Sequence, residues 1–527
     1  MFESFKIAAL VGWMMLMRRE NITSGTGSLH MKLMALIGVA AIAGIAYGGS
    51  VPTLAEREDL KDLPPRWQGV MENFDVPGLA VGVVKDGKVY AIQAWGQRDA
   101  GGASVDADTK FYIASITKTF TATAIQKLVS EGKIALSDPV VKYLPRFKLS
   151  EPAYAAEKVT IQELLCHAPG IDCGPAVLLD AYTGEITDDR YFGLLAKYGK
   201  ARGTVEYSNI HYTLLGRVIE VVTGKPWRQY LCDEILKPSA MTRTSGFISE
   251  RDSNSAAAMR RAGTKWEQFS PWKTDETMHA AGGMDSTASD MARWVCLNLN
   301  DGMAEGKQVL KPGVAPAMLI ERGTMKEPNG SLRIMTGFGD AWNLGTYKGH
   351  ALASHGGGYT GASAYVLMLP KDNAGFVVLM NSGGLARGLG DTIAIDLLER
   401  LSGEKSGTDI YAGTLKQAKT IKERGLPQEG LFGRLQAKDF PGDATAWIGR
   451  YTNTDFGTLT VAQAQDGVEI RLGNSPLDIS ANDGGFAVGR ASVMEGSKGK
   501  FVMLGGKPNA IGIEDEQVGT VLFNKQQ

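Results

Sequence analysis

Two β-rich runs, Leu79-Ala80-Val81-Gly82-Val83-Val84-Lys85 and Lys88-Val89-Tyr90-Ala91-Ile92, are separated only by Asp86-Gly87. A two-residue link of this type needs positive φ angles, which Asp and Gly supply, and it joins antiparallel strands. That hairpin sets the frame for the rest of the chain. A lead-in helix is expected just before it, around Arg66–Phe74. After it, Phe120, Ala124 and Leu128, with Ile125 and Val129 beside them, mark a helix that Gly132 stops. Ser137-Asp138-Pro139 opens the next element and Pro145 closes it. From Val159 to about Asp290 the signals are mainly helical: Thr160–Leu165, then Tyr212–Ile219 ending near Gly224. Ser289-Asp290 leads into a third helix, Met291–Leu297. From Gly337 strand patterns return, with Ala362–Leu369, a turn at Lys371-Asp372-Asn373 and Gly375–Met380. An amphipathic helix over Leu385–Leu401 closes the series. This order predicts an α/β (α+β) fold: an antiparallel sheet flanked by helices and interrupted by a mainly helical insert.

The texture then changes twice. Residues 403–440 are charged and poor in β-branched side chains, as expected of a linker carrying one helix, Leu415–Arg424. Beyond Trp447, short strands alternate with turns at Asp466-Gly467, Asp483-Gly484 and Gly496 to Gly499, which predicts a small all-β, barrel-like unit. The expected domains are therefore 51–402, the linker 403–440, and the β-unit 441–527. Met31-Lys32 followed by the apolar run Leu33–Ala46 and Tyr47-Gly48-Gly49-Ser50 reads as a secretory signal, so residues 1–50 are expected to be a targeting segment with translation starting at Met31. The expected location is periplasmic or secreted; an N-terminal membrane anchor is the alternative. A net charge of -1 over 527 residues gives no basic surface for nucleic acid. The cysteines, Cys166, Cys173, Cys232 and Cys296, have no zinc-like spacing and are expected to be buried free thiols, with a Cys166–Cys173 disulfide as the alternative in an exported chain.

The chemistry centres on Phe111-Tyr112-Ile113-Ala114-Ser115-Ile116-Thr117-Lys118. Ser115 and Lys118 are three apart, so on a helix they share a face. A serine hydroxyl needs a base to take its proton, and a desolvated lysine can be that base. A helix start adds unpaired N–H groups suited to an oxyanion. Ser-x-x-Lys recurs at Ser130…Lys133, Ser270…Lys273, Ser402…Lys405 and Ser497…Lys500, all at helix ends, turns or before a proline. Context selects Ser115. Tyr207-Ser208-Asn209, between a loop and a helix, offers a phenol to carry a proton and an amide to hold a substrate. Tyr451-Thr452-Asn453 repeats that pattern but reads as a strand end. Ser354-His355-Gly356-Gly357-Gly358-Tyr359 lies just before the strand Ala362–Leu369, and its glycines allow close backbone approach.

In that order, Ser-x-x-Lys, Tyr-x-Asn and His-Gly-Gly, the chain resembles the β-lactamase-related serine hydrolases over roughly residues 75–400. That family includes class C β-lactamases, D-alanyl-D-alanine carboxypeptidases, D-aminopeptidases and β-lactamase-like esterases. Secondary stretches also resemble it: Leu164-Leu165-Cys166-His167-Ala168-Pro169-Gly170 and Gly282-Gly283-Met284-Asp285-Ser286-Thr287. The resemblance implies that Ser115 is the acylated nucleophile and that Lys118 and Tyr207 share proton transfer. It implies that Asn209 contacts the substrate amide, that N–H groups of Ser115 and Gly358 bind the oxyanion, and that His355 and Gly357 line the pocket. The six histidines show no metal-ligand spacing, and no cofactor or metal is expected. Where many relatives carry Lys-Thr-Gly, this chain has His355-Gly356-Gly357, and a neutral imidazole anchors a carboxylate less strongly than an ammonium. No Gly-x-Ser-x-Gly elbow occurs. The expected activity is hydrolysis of a small amide or ester through an acyl-enzyme, with D-amino-acid peptides or esters as candidate substrates. The alternatives are a non-catalytic penicillin-binding-type receptor, and a weak β-lactamase or carboxylesterase.

Overall fold

The computed structural model describes residues 51–526 apart from 151–154, 263, 270–272, 278, 330–331, 424–432, 489–493, 495 and 516–518. The expected targeting segment and Ser270 lie outside the described residues.

The opening hairpin forms as read. Strands β1 (Gly78–Lys85) and β2 (Lys88–Gly96) pair antiparallel across Asp86 and Gly87, whose φ angles are 54° and 66°. Six later strands join them: β3 (Gly323–Asn329), β4 (Arg333–Phe338), β5 (Asn343–Tyr347), β6 (His350–Tyr359), β7 (Ala362–Leu369) and β8 (Ala374–Met380). The eight-stranded antiparallel sheet runs β3-β4-β5-β6-β7-β8-β1-β2, so the closing strand β8 pairs back onto β1. Both faces of its centre are covered. In β8, Val377 and Leu379 enter one core with Phe120, Leu214 and Trp294, while Phe376, Val378 and Met380 enter another with Trp67, Leu389 and Ile393. A strand buried on both sides shows no polar alternation, which is why β8 reads as a continuous apolar run.

The helices close around this sheet. Helix α1 (Thr117–Ser130), α2 (Asn209–Thr223) and α3 (Ala288–Leu299) cover one face, and α4 (Ala386–Ser402) the other. Trp294 stacks on Phe120 at 3.9 Å and donates to Thr119, tying α3 to α1 through a satisfied indole. The lead-in helix is two short pieces, Leu63–Gln68 and Met71–Phe74. The insert also holds a hairpin, Ala258–Ala262 with Lys265–Phe269, so it is not only helical. The stretch read as a linker contains α5 (Ile410–Glu423), which packs on α4 through buried Ala418 and a Thr392–Thr414 hydroxyl contact of 3.2 Å.

The C-terminal unit is a nine-stranded antiparallel sheet. Its two edge strands, Ser475–Pro476 and Ile479–Asn482, are joined by only Leu477-Asp478, so the sheet must curl to bring its edges together. Trp447, Tyr451, Ile470, Phe486, Ile511 and Phe523 fill its interior, and Leu178 of the insert packs with them. Asp455 accepts from Lys197 and Tyr198 at 2.5 and 2.7 Å, and Ser475 Oγ donates to the Tyr182 carbonyl at 3.1 Å. Tyr451-Thr452-Asn453 ends a strand, as read. The cysteines are all free thiols, Cys166 and Cys173 buried and Cys232 and Cys296 partly exposed.

Candidate active site

Ser115 sits on a 3-10 turn, Ala114–Ile116, immediately before α1, rather than in the first α-helical turn. The residue before it, Ala114, holds φ of 45°, a left-handed conformation that a Cβ-bearing residue rarely adopts. This kink presents Ser115 beside the strand β6. His355-Gly356-Gly357-Gly358 is therefore not a turn ahead of a strand; it is the second half of β6 itself. The glycine run hid the strand because it lacks the β-branched residues by which strands are recognised. β5 pairs with β6 only as far as Ser354, so residues 355–359 have no strand partner on that side. Gly357 faces the nucleophile turn so closely that a Cβ would lie 2.0 Å from the Ile113 carbonyl oxygen. Gly358 faces the other way, where a Cβ would meet Arg387 Nη2 at 2.8 Å.

Lys118 is fully buried, and its Nζ lies 3.2 Å from Ser115 Oγ. It also donates to Asn209 Oδ1 at 2.7 Å and to the Ala281 carbonyl at 2.6 Å. Both of those oxygens only accept. A neutral amine has two N–H bonds and one lone pair, so these two partners consume its protons and leave the lone pair for the Ser115 hydroxyl. Burial favours that neutral form, holding the Lys118 pKa well below that of an ordinary ammonium. Asn209 is thus bound to Lys118 through Oδ1, which leaves Nδ2 as the part free to face a substrate. Tyr207 lies over the same amine, with Nζ 4.8 Å from its ring centre. Tyr207 as a whole residue is 46% exposed, whereas desolvation at the hydroxyl raises its pKa and an interaction with Ser115 partly offsets this. The phenol is therefore neutral at ordinary pH.

His355 is buried, 4% exposed, and its Nδ1 donates to the Gly356 carbonyl at 2.7 Å, leaving Nε2 as an acceptor. Burial, together with nearby Lys118, pushes its pKa down to about 3. It is an uncharged pocket wall, not a surface histidine.

Several supporting groups carried no local signal. Three successive carbonyls, Ala280, Ala281 and Gly282, accept from Thr121, Lys118 and Tyr112, so one short loop ties together three side chains of the nucleophile segment. His167 and His211 form a second device. Ile171 N–H donates to His211 Nε2 at 3.0 Å, so the His211 proton is on Nδ1, which donates to His167 Nδ1 at 2.9 Å. His167 Nδ1 also accepts from Ser208 N–H at 3.2 Å, and its ring packs 4.7 Å from Tyr207. This pair pins the Tyr207-Ser208-Asn209 segment against Lys118. Among the described residues no cluster of three or more His, Cys, Asp and Glu could hold a metal ion.

Comparison with known proteins places this arrangement. A penicillin-binding protein 4 from Amycolatopsis lactamdurans is 28% identical over 351 residues, covering 65% of this chain and 89% of its own. The protein flp of Staphylococcus aureus is 29% identical over 321 residues, and the match spans 61% of its length. Among solved structures, the octameric penicillin-binding protein homologue from Pyrococcus abyssi aligns with a TM-score of 0.57 at 22% identity, over 89% of this chain and 99% of that one. The D-amino acid amidase from Ochrobactrum anthropi SV3 aligns with 0.55 at 22%, over 65% of this chain and 99% of its own. The model of the Beta-lactamase family matches residues 67–399, a stretch holding Ser115, Lys118, Tyr207, Asn209 and His355, and the chain belongs to that family.

Proposed function

We propose that this protein is a serine hydrolase that forms an acyl-enzyme at Ser115 on a small amide or ester, with D-amino-acid amides and peptides as the favoured class. One observation carries the reading: Lys118 Nζ stands 3.2 Å from Ser115 Oγ, held there by two acceptors, Asn209 Oδ1 at 2.7 Å and the Ala281 carbonyl at 2.6 Å. Lys118 takes the hydroxyl proton as Ser115 Oγ bonds to the carbonyl carbon, and the oxyanion forms beside the β6 edge. The proton then passes through the Tyr207 hydroxyl to the departing nitrogen or oxygen as its bond to carbon breaks. Water reverses these steps to release the acid and restore Ser115. His355, being neutral, shapes the pocket without supplying charge.

Labelling with a fluorophosphonate, read by intact mass, and turnover of a panel of short esters, D-aminoacyl amides and cephalosporins test this. Parent protein is expected to label once and turn over at least one ester or D-amide, and Ser115→Ala to do neither. Undiminished labelling and turnover in Ser115→Ala would overturn it.

A further inference from the structure

Lys273 belongs to one of the Ser-x-x-Lys repeats that do not supply the nucleophile, yet the fold brings it to the neighbourhood of Ser115. Its Nζ lies 4.2 Å from the ring centre of Tyr359, 5.4 Å from Tyr182 and 5.7 Å from Tyr112. Two of those rings border the site: Tyr359 follows Gly358 on β6, and Tyr112 lies three residues before Ser115 with its hydroxyl on the Gly282 carbonyl. They also pack on each other, Tyr112 with Tyr359 at 5.6 Å and Tyr182 with Tyr359 at 5.8 Å. The curled C-terminal sheet closes the group. Ser475 Oγ donates to the Tyr182 carbonyl at 3.1 Å.

Such a cage of rings attracts a cation but does not neutralise it. Lys273 donates to one oxygen, the Ala181 carbonyl at 2.6 Å, and among the described residues no carboxylate forms a salt bridge with it. A desolvated ammonium with no carboxylate in hydrogen-bonding contact is costly, and a ligand carboxylate would offset that cost. Lys273 keeps part of its surface in solvent, so the position is reachable. We propose that Lys273, caged by Tyr112, Tyr182 and Tyr359, binds a carboxylate of the substrate, in a subsite walled on one side by Ser475 of the C-terminal sheet. The assignment rests on the hydrolase reading for the word substrate, and it supplies the charge that His355 cannot.

The charged and titratable groups around the ammonium are few. Asp180 is near enough to raise the Lys273 pKa, but burial outweighs it and brings the value down to about 7. The three phenols are pushed up by burial and stay neutral, and His279, lowered to about 4, is neutral as well. Carboxylate binding takes up a proton at Lys273, so affinity falls as pH rises through about 7.

The test uses full-length Ser115→Ala protein and calorimetric titration with N-acetyl-D-alanine and its primary amide, so that no turnover is needed. A carboxylate preference of roughly tenfold or more is expected below pH 7, shrinking above it. Lys273→Met on the same background should abolish the preference and Lys273→Arg should retain part of it. Equal affinity for the two ligands, absence of binding by either, or a preference that survives Lys273→Met would overturn the assignment. If Lys273→Met does not fold, a preference identical below and above pH 7 does so instead. Loss of fluorophosphonate labelling by the parent would sink the hydrolase reading alone.

Discussion

Gly357 and Ile113 touch across the floor of the site: a Cβ on the glycine would stand 2.0 Å from the isoleucine carbonyl oxygen. The Ile113 backbone cannot yield easily, because its N–H is held by the Met284 carbonyl at 3.0 Å and the next residue already sits at positive φ. Gly357→Ala is therefore expected to push β6 away from the nucleophile turn. An ångström of misplacement lowers turnover by about a hundredfold. Comparison of kcat/KM with thermal unfolding checks this; a fully active Gly357→Ala protein would mean that the close approach plays no part in catalysis.

Lys118→Arg keeps a long basic side chain but fixes a positive charge there and removes the lone pair, because a guanidinium stays protonated. Acylation should slow by about 10²- to 10⁴-fold. In the parent, the acylation rate should rise with pH through the Lys118 pKa, and burial places that rise well below the range of an ordinary lysine. Stopped-flow acylation across pH reads this directly, and a rise seen only in strong alkali would show that Lys118 is not the depressed base.

His211, His279 and His355 have pKa values pushed down by burial to about 3, 4 and 3. In nitrogen-detected NMR their rings are expected to remain neutral down to about pH 5, whereas unfolded histidine titrates near 6.5. The unfolded chain then binds protons that the folded one refuses, so the histidine contribution to stability is complete above that value and is lost as pH falls. Asp340, raised to about 6 by burial, acts in the opposite sense. Replacing His279 with glutamine should flatten the acid limb of the denaturation profile.

Cys166 and Cys173 are buried free thiols whose pKa burial raises to about 11 and 12. A thiol reagent should leave both untouched in the native protein and find four thiols after unfolding in the absence of reductant. Recovery of only two under those conditions would indicate the Cys166–Cys173 disulfide that the sequence also allows.

Local signals were legible wherever the physics is local. Asp86-Gly87 determined a hairpin, Thr160 and Gly224 marked a helix start and a helix end, and Ala362–Leu369 was bounded to the residue. Strands β3 to β5 escaped because Gly323, Pro328, Gly337 and Gly345 dilute the apolar alternation in strands lying toward the sheet edge. The order Ser115…Lys118, Tyr207…Asn209, His355-Gly356-Gly357 was likewise open to reading, since motif spacing is a property of the chain.

The roles within that order were not. Asn209 and Ala281, the partners that commit the protons of Lys118, stand 91 and 163 residues away from it in sequence. The protonation of Lys118, the burial of His355, the His167–His211 couple and the capture of Lys273 by three tyrosines all depend on desolvation and on contacts between distant segments. The sequence by itself determined which groups the chain carries and in what order. Only the tertiary structure decided which of them lose water and meet, and that loss of water is what turns a lysine into a base and a histidine into a wall.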